Sequence, residues 1–346
     1  MDNKALAKSF NKPFDAFDGL EEIRLGKVQQ GLGIGVDAWD NFIRWKGGQF
    51  NMVNGHDNVG KTDVILWYFV NMAKKHNKTF NIFCSENTLR SQVFKLFNFW
   101  TGRRMDKDFG NDEAGYRRTL NEITDCFSFI PTNKKYTANH ILDIAATNNC
   151  DGLLIDPFNS LMVETGNKHQ EDYNICSDIR LFCDSTSTTT FVNAHLVTQA
   201  ARNVYPKDHD YEGHLKPPEK ADTEGGQKFA NRADDFWSNH RMTQHSERWK
   251  IAEVHVRKVK ETITGGGVTP REAPIEMVWD DYTKYRIGGI NPLQETYTGV
   301  GVNELEDIEN QVRLEKSDAH SRMSRQSYGA NEEIEKDEFE DDDIPF

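Results

Sequence analysis

The chain has 346 residues, a net charge of −13 and 37% hydrophobic residues, which suits one large α/β domain with appendages or two small domains. No apolar run reaches the roughly 18 residues of a membrane span, and the first residues lack the apolar stretch of a signal peptide. Five cysteines without a Cys-x-x-Cys pair argue against a disulfide framework or a zinc site. We therefore expect a cytoplasmic protein without membrane contact.

The acidic residues concentrate towards the C-terminal end. Residues 304–346 contain fifteen Asp or Glu against five Lys or Arg, which leaves a net charge of only −3 for residues 1–303. A nearly neutral body is compatible with a nucleic-acid partner. Composition predicts three regions: a polar arm over residues 1–30, a folded domain over residues 31–292, and a disordered acidic tail over residues 293–346.

Within the folded domain, short β-rich runs alternate with longer amphipathic segments, a pattern typical of a mostly parallel sheet covered by helices. The predicted strands cover residues 50–53, 79–84, 127–130, 152–155, 190–193, 235–238 and 249–256. The predicted helices cover residues 14–26, 62–76, 89–102, 112–125, 138–148 and 171–185. Residues 202–226 carry charge, proline and glycine without a period, so they predict a long mobile loop.

The segment GHDNVGKT, residues 55–62, fits the pattern G-x-x-x-x-G-K-[ST] in full. It follows a predicted strand and opens a predicted helix, which is the context that this phosphate-binding loop requires. Backbone N–H groups and the helix N-terminus would surround the phosphates of ATP, Lys61 would reach the β- and γ-phosphates, and Thr62 would ligate Mg²⁺. The predicted nucleotide-binding residues are Gly55, Asn58, Val59, Gly60, Lys61 and Thr62.

A loop of this kind needs an acidic partner at the end of another strand. The run CDGLLIDPFNSL supplies an apolar strand that ends in Asp156, about 95 residues after the loop. Many buried strands end in Asp, but in combination with the loop we expect Asp156 to hold Mg²⁺ through water, with Thr62 as the second metal residue.

Three further segments resemble RecA-like replicative helicases. GLGIGVDAWDNFIRWKGGQF resembles the stretch that leads into their P-loop, and NIFCSENTLRSQVFKL resembles their second motif. The resemblance implies that Glu86 orients the attacking water and that His195, at the end of TTTFVNAHLV, senses the γ-phosphate beside Lys61. It covers residues 31–289 and implies a RecA-like P-loop NTPase core of the hexameric, phage or mitochondrial kind.

The segment IAEVHVRKVKETITGGG resembles the strand that, in this family, reaches into the ATP of the neighbouring subunit. Lys258 and Lys260 take the places of the family's basic pair, with Arg257 adjacent. Lysine gives a point charge where arginine gives a fork, so the identity of the trans-acting residue stays open. A solvated basic edge strand is the alternative.

In RecA-like motors the loops after the Asp156 and His195 strands hold single-stranded DNA. Here these loops cover residues 164–170 and 202–226. The candidate phosphate partners are Lys168, Arg202, Lys207, Lys216 and Lys220, and the candidate stacking partners are Tyr205, His209 and Tyr211. Acidic residues interleave with them, so a solvated charged loop is the alternative.

The chain ends in the acidic run DDDIPF, which resembles the C-terminal tip of bacterial single-stranded DNA-binding proteins. The predicted docking residues are Asp341, Asp342, Asp343, Ile344, Pro345 and Phe346. Phe346 would fill an apolar pocket on a replisome partner such as a polymerase or a primase, and the aspartates would steer the approach. A plain solubilising tail is the alternative.

These features together predict a phage-encoded, ATP-driven ring that moves on single-stranded DNA in the cytoplasm of a bacterial host. Only about 30 residues precede the predicted motor, so we expect no primase or collar domain. The alternative is a RecA-fold protein that coats single strands or mediates recombination, in which ATP regulates assembly and the tail recruits partners.

Overall fold

The computed structural model describes residues 13–162, 168–280 and 282–293. The strands in these ranges are β1 (Phe50–Gly55), β2 (Phe80–Cys84), β3 (Phe127–Phe129), β4 (Gly152–Asp156), β5 (Thr189–Ala194), β6 (Asp235–His240), β7 (Ile251–Lys258), β8 (Ile275–Asp280) and β9 (Lys284–Arg286). They form one sheet in the order β3-β2-β4-β5-β1-β6-β7-β8-β9.

The sheet has a parallel part and an antiparallel part. Strands β1 to β6 run parallel, with β1 between β5 and β6, because the connections between them cross over through helices or long loops. Strands β7, β8 and β9 extend the sheet from β6 in antiparallel pairs. The carboxyl ends of β1, β2, β4 and β5 therefore meet at one edge, which we call the carboxyl edge.

Several helices begin at side-chain caps or end at left-handed residues. The helices are α1 (Phe17–Arg24), α2 (Asp37–Asp40), α3 (Lys61–His76), α4 (Leu89–Thr101), α5 (Met105–Asp108), α6 (Glu113–Cys126), α7 (Ala138–Asn148), α8 (Lys168–Thr186) and α9 (Gln227–Arg232). The Thr88 and Thr137 side chains accept from the first turns of α4 and α7. Asn77, Gly102 and Asn149 adopt positive φ after α3, α4 and α7.

An aromatic core lies between α3 and one face of the sheet. Residues 64–73 of α3 are all buried, so this helix is apolar on nearly every side. Trp67 lies 5.3 Å from Trp39, and Trp237 lies 5.4 Å from Phe191, as ring-centroid distances. Replacing a buried tryptophan such as Trp67 with alanine would cost about 3–5 kcal/mol of stability, so this core fixes the position of α3.

A second core covers the opposite face of the sheet. It joins apolar residues of α7, α8 and α9 to the buried residues Phe50, Met52, Phe83 and Val192 of the strands. Covering both faces explains why the central strands are buried along their whole length and lack a polar alternation.

The predicted fold class is confirmed: a mostly parallel sheet is flanked by helices. The seven predicted strands are present with shifted ends; the seventh begins at Ile251 because Arg248–Lys250 form a 3₁₀ turn. The helix predicted over residues 14–26 is a 3₁₀ turn, Pro13–Ala16, followed by α1. Strands β8 and β9 were not predicted.

Residues 202–226 do not contain a regular strand or α-helix, as predicted. Instead they fold locally through the bridge Val204↔Leu215 and the 3₁₀ turn Lys220–Asp222. The predicted acidic tail lies outside the described residues, and the domain boundaries stay predictions. No helix of the described residues is long and apolar enough to cross a membrane.

Candidate functional site

The loop between β1 and α3, residues 55–60, lies at the carboxyl edge of the sheet. Gly60, directly before α3, has a φ of 89°, and Asn58 has a φ of 61°, so backbone groups turn into the loop. A Cβ on Gly55 would lie 2.6 Å from the backbone oxygen of Asn239 on β6. Only glycine fits there, because the loop runs directly against the neighbouring strand.

The Lys61 ammonium folds back over this loop. Its Nζ donates to the backbone oxygens of Gly55 at 2.9 Å and His56 at 3.0 Å. Burial lowers the pKa of Lys61, which means that the cation lacks full solvation and that an added anion would stabilise its charge. The donors of this loop therefore fit a phosphate chain.

Asp156, at the end of β4, faces the first turn of α3. Its Oδ2 accepts from Thr62 Oγ1 at 2.6 Å, and its Oδ1 accepts from Asn193 Nδ2 at 2.7 Å. The carboxyl is 1% exposed; burial raises its pKa, and the two hydrogen bonds act against that rise. A hydroxyl beside a carboxylate is an oxygen pair of the kind that Mg²⁺ binds.

Asn193 was not predicted as a site residue. It lies on β5 two residues before His195, and it is buried. A polar residue inside an otherwise apolar strand was the available signal, since a buried amide needs a partner.

Glu86 and His195 meet over the end of β4. His195 Nε2 lies 3.1 Å from Glu86 Oε1, and both side chains remain partly exposed. Between them and the strand, Cys84 Sγ lies 3.6 Å from Asp156 Oδ2. Burial raises the pKa of Cys84 to about 12, so this thiol is neutral. The structure thus brings Lys61, Thr62, Asp156, Glu86 and His195 to one edge.

The loop over residues 196–226 is fastened to this site at two points. Asn54 Nδ2, at the end of β1, donates to the backbone oxygen of Glu219 at 3.0 Å and to Thr223 Oγ1 at 2.9 Å. The backbone N–H of Glu224 donates to the backbone oxygen of His195 at 2.8 Å. A movement of the P-loop strand or of His195 would therefore displace this loop.

The structure does not bring the predicted phosphate partners into one patch. Arg202 and Lys207 are exposed, Lys216 and Lys220 are half-buried, and Lys168 is the first residue of α8 rather than part of a loop. The predicted stacking residues contact one another instead. Tyr205 stacks on His209 at 4.3 Å, Tyr211 lies 5.6 Å from both rings, and Lys216 lies over Tyr205.

The predicted finger residues separate onto two sides of β7. Lys258 Nζ donates to the backbone oxygens of Ala230 at 2.7 Å and Ala233 at 2.6 Å. Lys260 is 53% exposed and pairs with the buried carboxylate of Asp234 at 2.9 Å. Arg257 points away from both lysines, with Nη2 donating to the backbone oxygen of Pro218. Of the two lysines, Lys260 has the freer side chain.

The two lysines lie at the opposite edge from the P-loop of their own chain. Asp234 accepts from the backbone N–H of Phe50, the first residue of β1, whereas the P-loop follows Gly55. Five residues of strand separate these positions by about 17 Å. Lys260 therefore cannot reach a phosphate held by its own chain.

An arginine–aromatic stack near the P-loop was not predicted. Arg241 follows β6 at the carboxyl edge, and its guanidinium lies 5.6 Å from the Trp279 ring. Trp279 in turn contacts Tyr282 at 4.4 Å, and the neighbouring Tyr285 hydroxyl lies 3.4 Å from a Cβ built on Gly60. Sequence could not indicate this group, because it depends on β8, which was itself not predicted.

The predicted docking residues, Asp341 to Phe346, lie outside the described residues. Neither a protein-family model nor a curated relative matches the sequence. Among solved structures, one described as an isolated ATPase domain is similar, at 16% identity and a TM-score of 0.64, over 80% of this chain and 99% of that chain.

A DnaB-like replicative helicase, described with its interactions with primase, is also similar. It shows 16% identity and a TM-score of 0.63 over 80% of this chain and 67% of that chain. At this identity the likeness concerns architecture alone. The chain therefore has the fold of a RecA-like helicase ATPase domain.

Proposed function

We propose that the chain is an ATPase that drives movement on single-stranded DNA, as a replicative helicase of phage type. The observation that carries the proposal is the convergence of Lys61, Thr62, Asp156, Glu86 and His195 at one edge of the sheet. A phosphate cradle, an oxygen pair for Mg²⁺ and a carboxylate with a histidine partner together provide what ATP hydrolysis requires.

Each group has a separate role in this proposal. The P-loop N–H groups and Lys61 hold the phosphates, while Thr62 and Asp156 hold Mg²⁺, which neutralises charge on the phosphate oxygens. Glu86 accepts the proton of the attacking water. His195, bonded to Glu86, senses the γ-phosphate, and the backbone contact of His195 with Glu224 passes that signal to the loop over residues 196–226.

The nucleobase would lie at the Arg241–Trp279 stack. Arg241 is at the carboxyl edge beside the P-loop strand, since Asn239 pairs with Gly55 in register. A guanidinium layered on an indole offers a flat surface on which a purine ring can stack. This arrangement favours adenine recognition by stacking rather than by a set of hydrogen bonds.

We further propose that the site is completed by a second copy of the chain in a hexameric ring. Lys260 is exposed and lies far from its own P-loop, so it is the finger candidate that could act on a neighbour's γ-phosphate. Single-stranded DNA would pass along the loops that carry Lys168, Arg202, Lys207, Lys216 and Lys220. The tip formed by residues 341–346 would dock on a polymerase or primase.

The test is ATP hydrolysis and strand displacement by the purified chain. We expect ATPase activity that depends on Mg²⁺ and rises with single-stranded DNA, and ATP-dependent unwinding of a forked duplex. Lys61→Ala, which removes the phosphate cation, should lose both. Strand binding or annealing without unwinding would instead favour the coating or recombination-mediator alternative.

A further inference from the structure

A cavity of about 750 Å³ lies between the loop over residues 196–226 and strands β7 and β8. Tyr205, Tyr211 and Lys216 line it from the loop, and His255 and Arg257 line it from β7. Arg271, which precedes β8, closes its rim. Aromatic rings beside several cations are the composition of sites that bind single-stranded nucleic acid.

Two guanidinium groups in this cavity share one carboxylate oxygen. Arg257 Nη1 and Arg271 Nη2 each lie 3.6 Å from the same Oε1 of Glu219. Both distances exceed those of a charge-assisted hydrogen bond, which are about 2.7–2.9 Å. One carboxylate therefore stands loosely between two cations, at the position that a doubly contacted phosphate would occupy.

The inner arginine is buried and only partly satisfied. Arg257 is 10% exposed, and among the described residues its Nε has no hydrogen-bond partner. Burial lowers the pKa of Arg257, so the guanidinium has lost hydration without a full ion pair. His255, which is also buried, presents an Nδ1 that has no partner within the described part of the chain. The cavity thus contains buried donors in need of an acceptor.

The residue between the arginines is connected to the P-loop strand. The backbone oxygen of Glu219 accepts from Asn54, the residue before Gly55. A ligand that displaced the Glu219 carboxylate would therefore act on a residue that is bonded to the strand carrying the nucleotide loop.

We propose that this cavity binds a phosphodiester group of single-stranded DNA between Arg257 and Arg271, in place of the Glu219 carboxylate. The proposal rests on the proposed function as a motor on single strands, and it names the anchoring arginines, which lie apart from the loop lysines considered above. Glu219 acts as an internal competitor that keeps the two cations apart from solvent anions until the strand arrives.

The first test replaces the rim arginine. Arg271 is 77% exposed, so Arg271→Ala should fold normally, as the thermal unfolding midpoint will report. Binding of a fluorescent oligothymidine is measured by anisotropy across a salt series with a non-hydrolysed ATP analogue. We expect about tenfold weaker binding and a salt slope shallower by about 0.7. Arg118→Ala, an exposed arginine on α6, is the matched control and should bind as the wild type does.

The second test changes the competitor in the opposite direction. Glu219→Gln keeps an oxygen for the cap of the Lys220–Asp222 turn but removes the charge, so it should tighten binding severalfold. Glu272→Gln removes the same charge from the same cavity without a guanidinium contact among the described residues, so it should tighten binding less. Wild-type binding by Arg271→Ala, or equal gains in the two glutamine variants, would overturn the proposal while leaving the motor function intact. A wild-type chain that binds no single strand would overturn both.

Discussion

His195 Nε2 lies 3.1 Å from Glu86 Oε1, although the two residues follow strands that do not touch in the sheet. β2 and β5 are separated by β4, so the pair spans the end of the strand that carries Asp156. Glu86 and His195 are therefore linked to each other directly above the proposed metal position, and a change at one must affect the other.

Removing the carboxylate of this pair separates binding from turnover. Glu86→Gln should bind ATP with unchanged affinity and lose hydrolysis by about 10²–10⁴-fold, because water loses its general base while Lys61 and the P-loop remain. Lys61→Ala should instead lose binding. Equilibrium binding of a fluorescent ATP analogue and steady-state phosphate release measure the two effects. Normal hydrolysis by Glu86→Gln would show that the base lies elsewhere.

Asn193 should set the acidic limit of activity. Its amide donates to Asp156, and this bond acts against the rise that burial causes in the pKa of the Asp156 carboxyl. In Asn193→Ala the carboxyl pKa rises further, so protons compete with Mg²⁺ at higher pH. The acidic limb of the ATPase profile should therefore move to higher pH, and more Mg²⁺ should restore activity.

The matched control for this prediction is Asn81→Ala. Asn81 is equally buried on β2 but bonds to Asn148 and Cys150, towards the other edge. Both variants should lose about 1–3 kcal/mol of stability, whereas only Asn193→Ala should shift the pH profile. Coincident profiles for the two variants would assign Asn193 a structural role alone.

Complementation tests the shared site. Lys260→Ala and Lys61→Ala should each be inactive alone, but mixed oligomers contain interfaces in which an intact P-loop faces an intact Lys260. Some ATPase activity should return on mixing, in proportion to the fraction of such interfaces. Lys258→Ala is the control, because Lys258 bonds to the backbone of α9 and its neighbour and should chiefly lower stability. No recovery in verified mixed oligomers would place the action of Lys260 elsewhere.

His240 should contribute to acid sensitivity. It is buried at the end of β6 among His56, Glu253 and His255, and burial lowers its pKa to about 4. An unfolded histidine titrates at about 6.5, so between these values only the unfolded chain takes up the proton, and the free energy of unfolding falls as pH falls. His240→Asn should reduce this slope by up to about 1.4 kcal/mol per pH unit. Urea unfolding across this range measures it, with the exposed His140→Asn as control.

The C-terminal tip is predicted to recruit partners without supporting the fold. Deleting residues 341–346 should leave ATPase activity and oligomeric state unchanged but remove binding to a polymerase or primase. Phe346→Ala should account for most of the loss, since a buried aromatic anchor contributes about 2 kcal/mol or more. Surface-plasmon measurements with the purified partner test this, and undiminished binding by the truncated chain would contradict it.

Much of the site could be predicted because it is local in sequence. The P-loop is contiguous, and its strand, turn and helix follow one another within residues 50–76, so pattern alone located Lys61 and Thr62. Asp156 and His195 each end an apolar run, which places them at the carboxyl edge of a parallel sheet. Their partnership with Glu86 depends on the order of β2, β4 and β5, which no local pattern contains.

The unpredicted parts depend on tertiary contacts. β8 and β9 contain acidic and basic residues that lower their strand propensity, but burial of Met277 and Tyr285 against the aromatic core stabilises them. The Arg241–Trp279 stack and the Glu219 site then follow from the position of β8. Residues such as Tyr205 and Tyr211, which looked available for bases, instead pack on each other because the loop folds locally.

The two outer strands of the sheet affect how copies of the chain can associate. β3 and β9 are three residues long, and β9 begins and ends with the cations Lys284 and Arg286. Short, charged margins resist the addition of a strand from another molecule. Copies of this domain should therefore not polymerise through a continuous sheet, and a ring must be held together by helix and loop surfaces, which can slide past one another during a nucleotide cycle.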